Sequence, residues 1–154
     1  MIYNNPIVVS VALVPVIDDN QNFLGLLGIQ RGIEPFIGGL AFPGGYQDEM
    51  ELSKDAAVRE LEQETGLKID KNQFKFFNEK MTAHNKNLQF WYSTPIKADD
   101  VFQLIELDEF DKREIFQILI IDDASKICFP THREIFEEFK TFITKEKNQG
   151  FSLS

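Results

Sequence analysis

Cysteine is almost absent from this chain, positive charge is in deficit, and no apolar run is long. The lone Cys128 has no partner for an intramolecular disulfide and excludes a cysteine-rich zinc site, so it reads as a small buried apolar residue. Lys and Arg number 16 against 25 Asp and Glu, a formal net charge of −9. That balance lacks the basic footprint on which general binding to nucleic acid or anionic membranes depends. No stretch approaches the length of a bilayer span. The N-terminus carries no basic region followed by a long apolar run, so no secretory leader is expected and the cytoplasm is the default location. Internal repeats, low-complexity tracts and linkers are missing as well.

What is present describes a soluble globular protein: 154 residues, 43% hydrophobic and 27% charged. This is the size of one ordinary domain with a substantial core. The 15 Phe predict that aromatic rings fill much of that core. A single domain over residues 1–154 is expected, with residues 146–154 as a fraying tail.

Residues Ile7 to Ile17 are rich in β-branched side chains and predict a buried strand, with Pro15 at an edge or bulge. The turn cluster Asp18-Asp19-Asn20 and the run from Phe23 to Gln30 complete a hairpin. Phe74 to Met81 and Leu88 to Ile96 predict a second strand pair, in which Phe90 and Tyr92 point to one face and Trp91 to the other. Residues 99–113 read as irregular and acidic, Ile115 to Ile121 as a strand, and Thr131 to Lys145 as an amphipathic helix. Thr131 is the candidate cap of that helix, and Ile135, Phe136, Phe139, Phe142 and Ile143 form its apolar stripe. Strands with helices to cover both faces predict an α/β fold with a mixed sheet.

The most informative stretch is Gly38 to Leu67. An apolar run, Leu40-Ala41-Phe42, turns at Pro43-Gly44-Gly45; a short acidic loop follows, then an amphipathic helix that ends at Gly66. Ser53 is the candidate N-cap, and Asp55 places a negative charge in the first turn, where the helix dipole favours it. Ala57, Val58, Leu61 and Thr65 share the face packed on a sheet, while Glu60, Gln63 and Glu64 share another. Taken alone, Glu60, Glu62 and Glu64 are equally the solvated face of a surface helix. Carboxylates one turn apart repel, however, and a hard divalent cation such as Mg²⁺ or Mn²⁺ would offset that repulsion.

The spacing Gly45, Glu51, Arg59, Glu60, Leu61, Glu64, Gly66, Leu67 resembles the Nudix box, G-x5-E-x7-R-E-U-x-E-E-x-G-U, where U is aliphatic. One position departs, because Gln63 stands where the first Glu of the E-E pair is expected. The resemblance implies an α/β/α sandwich. It also implies hydrolysis of a nucleoside diphosphate linked to another group, on a Mg²⁺ or Mn²⁺ ion held by Glu60 and Glu64, with Gln63 lending a carbonyl oxygen but no charge. The backbone at Gly44 and Gly45 would approach the metal or a phosphate, where a side chain would obstruct.

Arg59 reads as an organiser that holds Glu51 or Glu60 bidentately. Glu64 combines ligation with a part in catalysis. Glu114, at the entrance to a strand, is the first candidate for a general base, ahead of Glu106 and Glu109. Arg31 is a candidate for the substrate pocket or merely for the surface. His84 and His132 pair with no nucleophile. Phe90, Trp91 and Tyr92 read either as a base-stacking strand or as core. The substrate branch stays open: Leu26-Leu27-Gly28-Ile29-Gln30-Arg31-Gly32 resembles part of a coenzyme-A-hydrolysing pattern, without the further arginine of that pattern. The proline that often follows the box in ADP-ribose pyrophosphatases is replaced in place by Thr82. The small-molecule partner is thus a nucleoside diphosphate derivative, and a homodimer is compatible with the chain. The rival reading is a non-catalytic fold of the same kind that binds a nucleotide as a sensor.

Overall fold

Residues 7–17 present apolar side chains to both faces of the protein, and the chain divides them between two sheets. In the computed structural model, which describes residues 5–107, 110 and 112–148, β1 is Ile7–Leu13 and β2 is Pro15–Ile17. Pro15 is buried rather than at a solvent edge; it opens β2, and the pairing of β2 with β3 shifts register just beyond it, between Val16 and Ile17. β2 pairs antiparallel with β3 (Phe23–Arg31). Asp18 closes the turn between them, its carboxylate accepting from the amides of Asn20 and Asn22 at 2.9 Å each.

Leu40–Ala41 (β4) and Gly44–Tyr46 (β5) flank the Phe42-Pro43 turn. The helix α1 spans Ser53–Thr65, and β6 (Phe74–Met81) runs antiparallel to β7 (Lys86–Ser93). The strand expected to reach Ile96 therefore ends at Ser93. Ile96–Lys97 forms a separate β8 that pairs parallel with β2. One sheet has the order β5-β1-β7-β6, the other β4-β3-β2-β8 with β9 (Ile115–Ile121) on β3. Both sheets mix parallel and antiparallel pairs, β1–β7 and β2–β8 being parallel.

The region expected to be irregular contains a helix, α2, over Ala98–Leu107. It buries Val101 and Leu104, three residues apart. The last helix, α3, is Pro130–Asn148. Pro130 is its first residue, a position that loses no intrahelical hydrogen bond. Thr131 thus lies inside the helix instead of capping it, and the helix runs to Asn148 where the sequence predicts an end at Lys145. Residues 149–154 of the expected tail lie outside the described residues.

Alternation along the strands builds two cores. Val11, Leu13, Leu26, Phe90 and Ile121 meet Ile135, Phe136, Phe139 and Ile143 of α3. Their neighbours Ala12, Val14, Leu27 and Ile118 face the other way, onto Ala57 and Leu61 of α1 and Val101 and Leu104 of α2. Phe90 and Tyr92 join the first core and Trp91 the second, as their alternation predicts. The result is the α/β/α sandwich, with α1 and α2 on one face and α3 on the other. No helix among the described residues is long and apolar enough to cross a membrane.

Candidate active site

Helix α1 docks through long-range contacts, not through a local cap. Its N-cap residue is Leu52, which makes no side-chain cap bond. Ser53, expected to cap, is the first helical residue; its hydroxyl accepts from Trp91 Nε1 at 2.9 Å and lies 2.9 Å from Ser10 Oγ. These bonds tie the start of α1 to β1 and β7. Ala56, Ala57, Leu61 and Thr65 are buried beneath it. Gly66, at φ 80°, turns left-handed and returns its amide to the Glu62 carbonyl, which ends the helix as the sequence predicts.

With that face fixed, Glu60 and Glu64 lie in the seam between α1 and β5. The Gly44 amide donates to Glu64 Oε2 at 2.8 Å. A Cβ on Gly45 would stand 2.5 Å from the Glu60 carboxyl carbon, and one on Gly44 would stand 2.7 Å from the Ser10 carbonyl oxygen. Gly44 is required by its close approach to backbone, and what approaches Gly45 is a helix carboxylate. Glu60 and Glu64 are both half-buried, so the solvated-face reading fails for them; Glu62 is exposed and fits it.

Arg59 gathers the loop against the helix. Its Nε and NH2 donate to the two oxygens of Glu51 at 2.9 and 3.0 Å, the bidentate geometry expected. NH1 donates to Glu60 Oε1 at 2.8 Å and to Gln63 Oε1 at 3.2 Å, and NH2 also reaches the Tyr46 carbonyl at 3.1 Å. Hydrogen bonding to Glu51 holds the guanidinium protonated well beyond its ordinary range, and the same bond lowers the Glu51 carboxyl. Glu51 also accepts from the Asp48 amide at 2.9 Å, so it organises the loop.

The two seam carboxylates behave differently from Glu51. Burial raises the Glu60 carboxyl, against the opposing hydrogen bond from Arg59, and the charges of Glu114 and Asp48 add to the rise. Glu64 is raised well above the ordinary carboxylate range, first by burial and then by the charge of Glu60; the Gly44 amide opposes and Glu114 adds. Glu114, from outside α1, therefore acts on both. It is exposed just ahead of β9, and its carbonyl accepts from the Gly32 amide at 2.7 Å. Glu106 is an exposed residue of α2, not of a loop, and Glu109 lies outside the described residues.

Arg31 is turned to its own loop, donating from Nε to the Pro35 carbonyl at 2.7 Å and from NH2 to the Glu34 carbonyl at 3.2 Å. No group of three His, Cys, Asp or Glu side chains among the described residues forms a ready metal cage. The donor chemistry nevertheless fits a hard cation: Glu60 and Glu64 are oxygen donors whose ionised forms are disfavoured by burial, that of Glu64 also by the charge of Glu60. Gln63 is exposed, with its carbonyl oxygen held by Arg59.

Sequence reasoning gave His132 no part. It is buried, stacks on Phe42 at 5.4 Å between ring centroids, and accepts from the Phe42 amide through Nδ1 at 3.2 Å. It thereby braces the turn that delivers Gly44 to Glu64. Nothing local signals this role, since 90 residues separate the partners. Cys128 is half-buried, not fully buried as expected, and burial pushes its thiol up.

A family model described as the NUDIX domain matches residues 6–142. A search of curated protein sequences finds no match. Among solved structures, a mutT/nudix family protein from Listeria innocua superposes with a TM-score of 0.69 at 20% identity, over 96% of this chain and 99% of that one. An Ap4A hydrolase of C. elegans does so with a TM-score of 0.67 at 15% identity, over 89% and 98%. The NUDIX domain of NrtR from Shewanella oneidensis, complexed with ADP ribose, gives 0.52 at 19% identity over 62% of this chain, which spans 63% of that one.

Proposed function

Because the chain belongs to the Nudix family, a family of pyrophosphohydrolases, we propose that it hydrolyses the diphosphate linkage of a nucleoside diphosphate derivative at the seam between α1 and β5. The observation that carries this reading is the pair Glu60 and Glu64. Both are held in place by the Gly44-Gly45 turn and Arg59, and both have their ionised forms destabilised in a way that a cation would offset. Glu60 and Glu64 would hold Mg²⁺ or Mn²⁺, and Gln63 would lend an uncharged oxygen after giving up its bond to Arg59. The ion would neutralise the diphosphate and acidify a water.

The chain's own groups do the rest. Arg59 fixes Glu60 and ties it to Glu51, so the carboxylate keeps one orientation through turnover. Glu114 would take the proton of the attacking water. The diphosphate chemistry is in keeping with two structural neighbours, one an Ap4A hydrolase and the other complexed with ADP ribose. A second reading, nucleotide binding without turnover, is favoured by Gln63 alone, since it removes one charge from the face that would hold the ion.

A panel of nucleoside diphosphate derivatives, assayed with Mg²⁺ or Mn²⁺, tests the proposal. Hydrolysis of at least one is expected, and Glu64→Gln should abolish it while leaving the circular dichroism spectrum unchanged. Near-native turnover in Glu64→Gln would refute the assignment. Binding without hydrolysis throughout the panel would establish the second reading.

A further inference from the structure

The loop of residues 32–39 is tied by several hydrogen bonds, yet it holds Ile33, Phe36 and Ile37 out to solvent. The Arg31 amide donates to the Gly39 carbonyl at 2.8 Å, the Gly38 amide to the Arg31 carbonyl at 2.7 Å, and the Gly39 amide to the Phe36 carbonyl at 2.9 Å. Gln30 Nε2 adds a bond to the Gly38 carbonyl at 3.1 Å. The Arg31 guanidinium closes the loop from inside through the carbonyls of Glu34 and Pro35 and lies 5.1 Å over the Phe129 ring. At the tip, Phe36 sits in left-handed backbone at φ 61° with 53% of its surface exposed. Its ring meets Phe129 edge-on, 5.5 Å between centroids at 84°. A non-glycine residue in that backbone region is strained, and such strain is found where the surroundings enforce it.

The loop also borders the site. The Gly32 amide bonds the Glu114 carbonyl at 2.7 Å, which ties the loop to the residue ahead of β9 that faces the seam carboxylates. A substrate with its diphosphate at Glu60 and Glu64 must send its remaining part toward some neighbouring surface. Phe36 offers an apolar ring with no hydrogen-bonding group, supported on one edge by Phe129. Such a ring is complementary to the π-face of a base and offers no hydrogen bond to the hydroxyls of a sugar or to a phosphate.

We propose that Phe36, braced by Phe129, is the stacking platform for the nucleobase of the substrate, and that Arg31 is a positioning residue which holds the loop instead of touching phosphate. This rests on the reading of the site as one for nucleoside diphosphates. Stacking alone tolerates every base, so the platform selects nucleosides over base-free phosphates without reading base identity.

Titration calorimetry of the full chain with Mg²⁺ compares AMP with ribose 5-phosphate. The wild type should bind AMP on the order of tenfold or more tightly than ribose 5-phosphate. Phe36→Ala should bring the two to within about twofold, and Phe36→Trp should restore the gap. Arg31→Lys should weaken AMP and leave ribose 5-phosphate unchanged. The proposal falls if the wild type does not bind AMP or binds both ligands alike, or if Phe36→Ala weakens both equally. It falls too if Arg31→Lys weakens ribose 5-phosphate as much as AMP, since Arg31 would then be a phosphate contact. A preference for AMP that depends on Phe36, in a chain that cleaves no nucleotide, would support the platform while removing the hydrolase reading.

Discussion

Gly45 and Glu60 pack so closely that a methyl group on the glycine would stand 2.5 Å from the carboxyl carbon and 2.6 Å from Oε1. The carboxylate cannot retreat freely, because Arg59 NH1 holds Oε1 at 2.8 Å. Gly45→Ala should therefore displace Glu60 while the buried face of α1 stays docked. A displacement on the order of 1 Å lowers kcat/KM by roughly 10²-fold. Steady-state kinetics with a native-like melting curve would bear this out; full activity would mean that Glu60 is free to move and is not a fixed ligand.

Gln63→Glu restores the third acid of the box. In the present chain the Gln63 carbonyl oxygen is taken by Arg59 at 3.2 Å, and the side chain is exposed. A glutamate there adds a negative charge beside Glu60 and Glu64. It should lower metal-free stability slightly and steepen the rise of Tm with Mg²⁺, since ligand binding to the folded state stabilises by mass action. Melts of both forms across a Mg²⁺ titration decide it. Equal shifts would mean that position 63 serves Arg59 alone.

Much of this site was legible because its determinants are local. The spacing from Gly45 to Leu67 gave the helix, its Gly66 stop and the pairing of Arg59 with Glu51, only eight residues apart. The rest depends on contacts that no local pattern carries. Ser53 looked like a cap, but its hydroxyl serves Trp91 and Ser10, 38 and 43 residues away. Residues 99–113 read as a loop because acidic residues such as Asp99, Asp100 and Glu106 are dense there, although Val101, Leu104 and Ile105 lie three and four residues apart on one helical face. Pro15 marks a change of sheet that the unbroken apolar run around it concealed, since both halves are buried.

Glu114→Gln should lower kcat by about 10²- to 10⁴-fold with little change in KM, the signature of a lost general base. The motivating observation is that the Glu114 charge raises both Glu60 and Glu64, while its backbone is anchored by the Gly32 amide at 2.7 Å. Glu106→Gln, in the exposed part of α2, should remain within a few-fold of the wild type. If Glu106→Gln instead cripples turnover and Glu114→Gln does not, the base comes from α2.

His132 makes folding sensitive to acid. Burial, reinforced by the charge of Arg31, lowers its pKa from 6.5 to about 3, and its Nδ1 accepts the Phe42 amide only while unprotonated. Above 6.5 the imidazole is neutral in both the folded and unfolded chain, and its contribution is fully present. Between 6.5 and about 3 the unfolded chain binds one more proton, so stability falls as pH falls, by about 1.4 kcal/mol per unit. His132→Gln keeps an acceptor in the side chain but cannot titrate. It should be less stable than the wild type at pH 7.5, because it gives up the stacking on Phe42 and the fit among Phe90 and Phe129. The gap should narrow by roughly 2 kcal/mol at pH 5, where only the wild type is penalised. Carboxylates that titrate alike in both proteins cancel in this difference. Urea unfolding of the pair at the two pH values measures it, and a gap that stays constant would mean that His132 is already accessible to protons in the folded state.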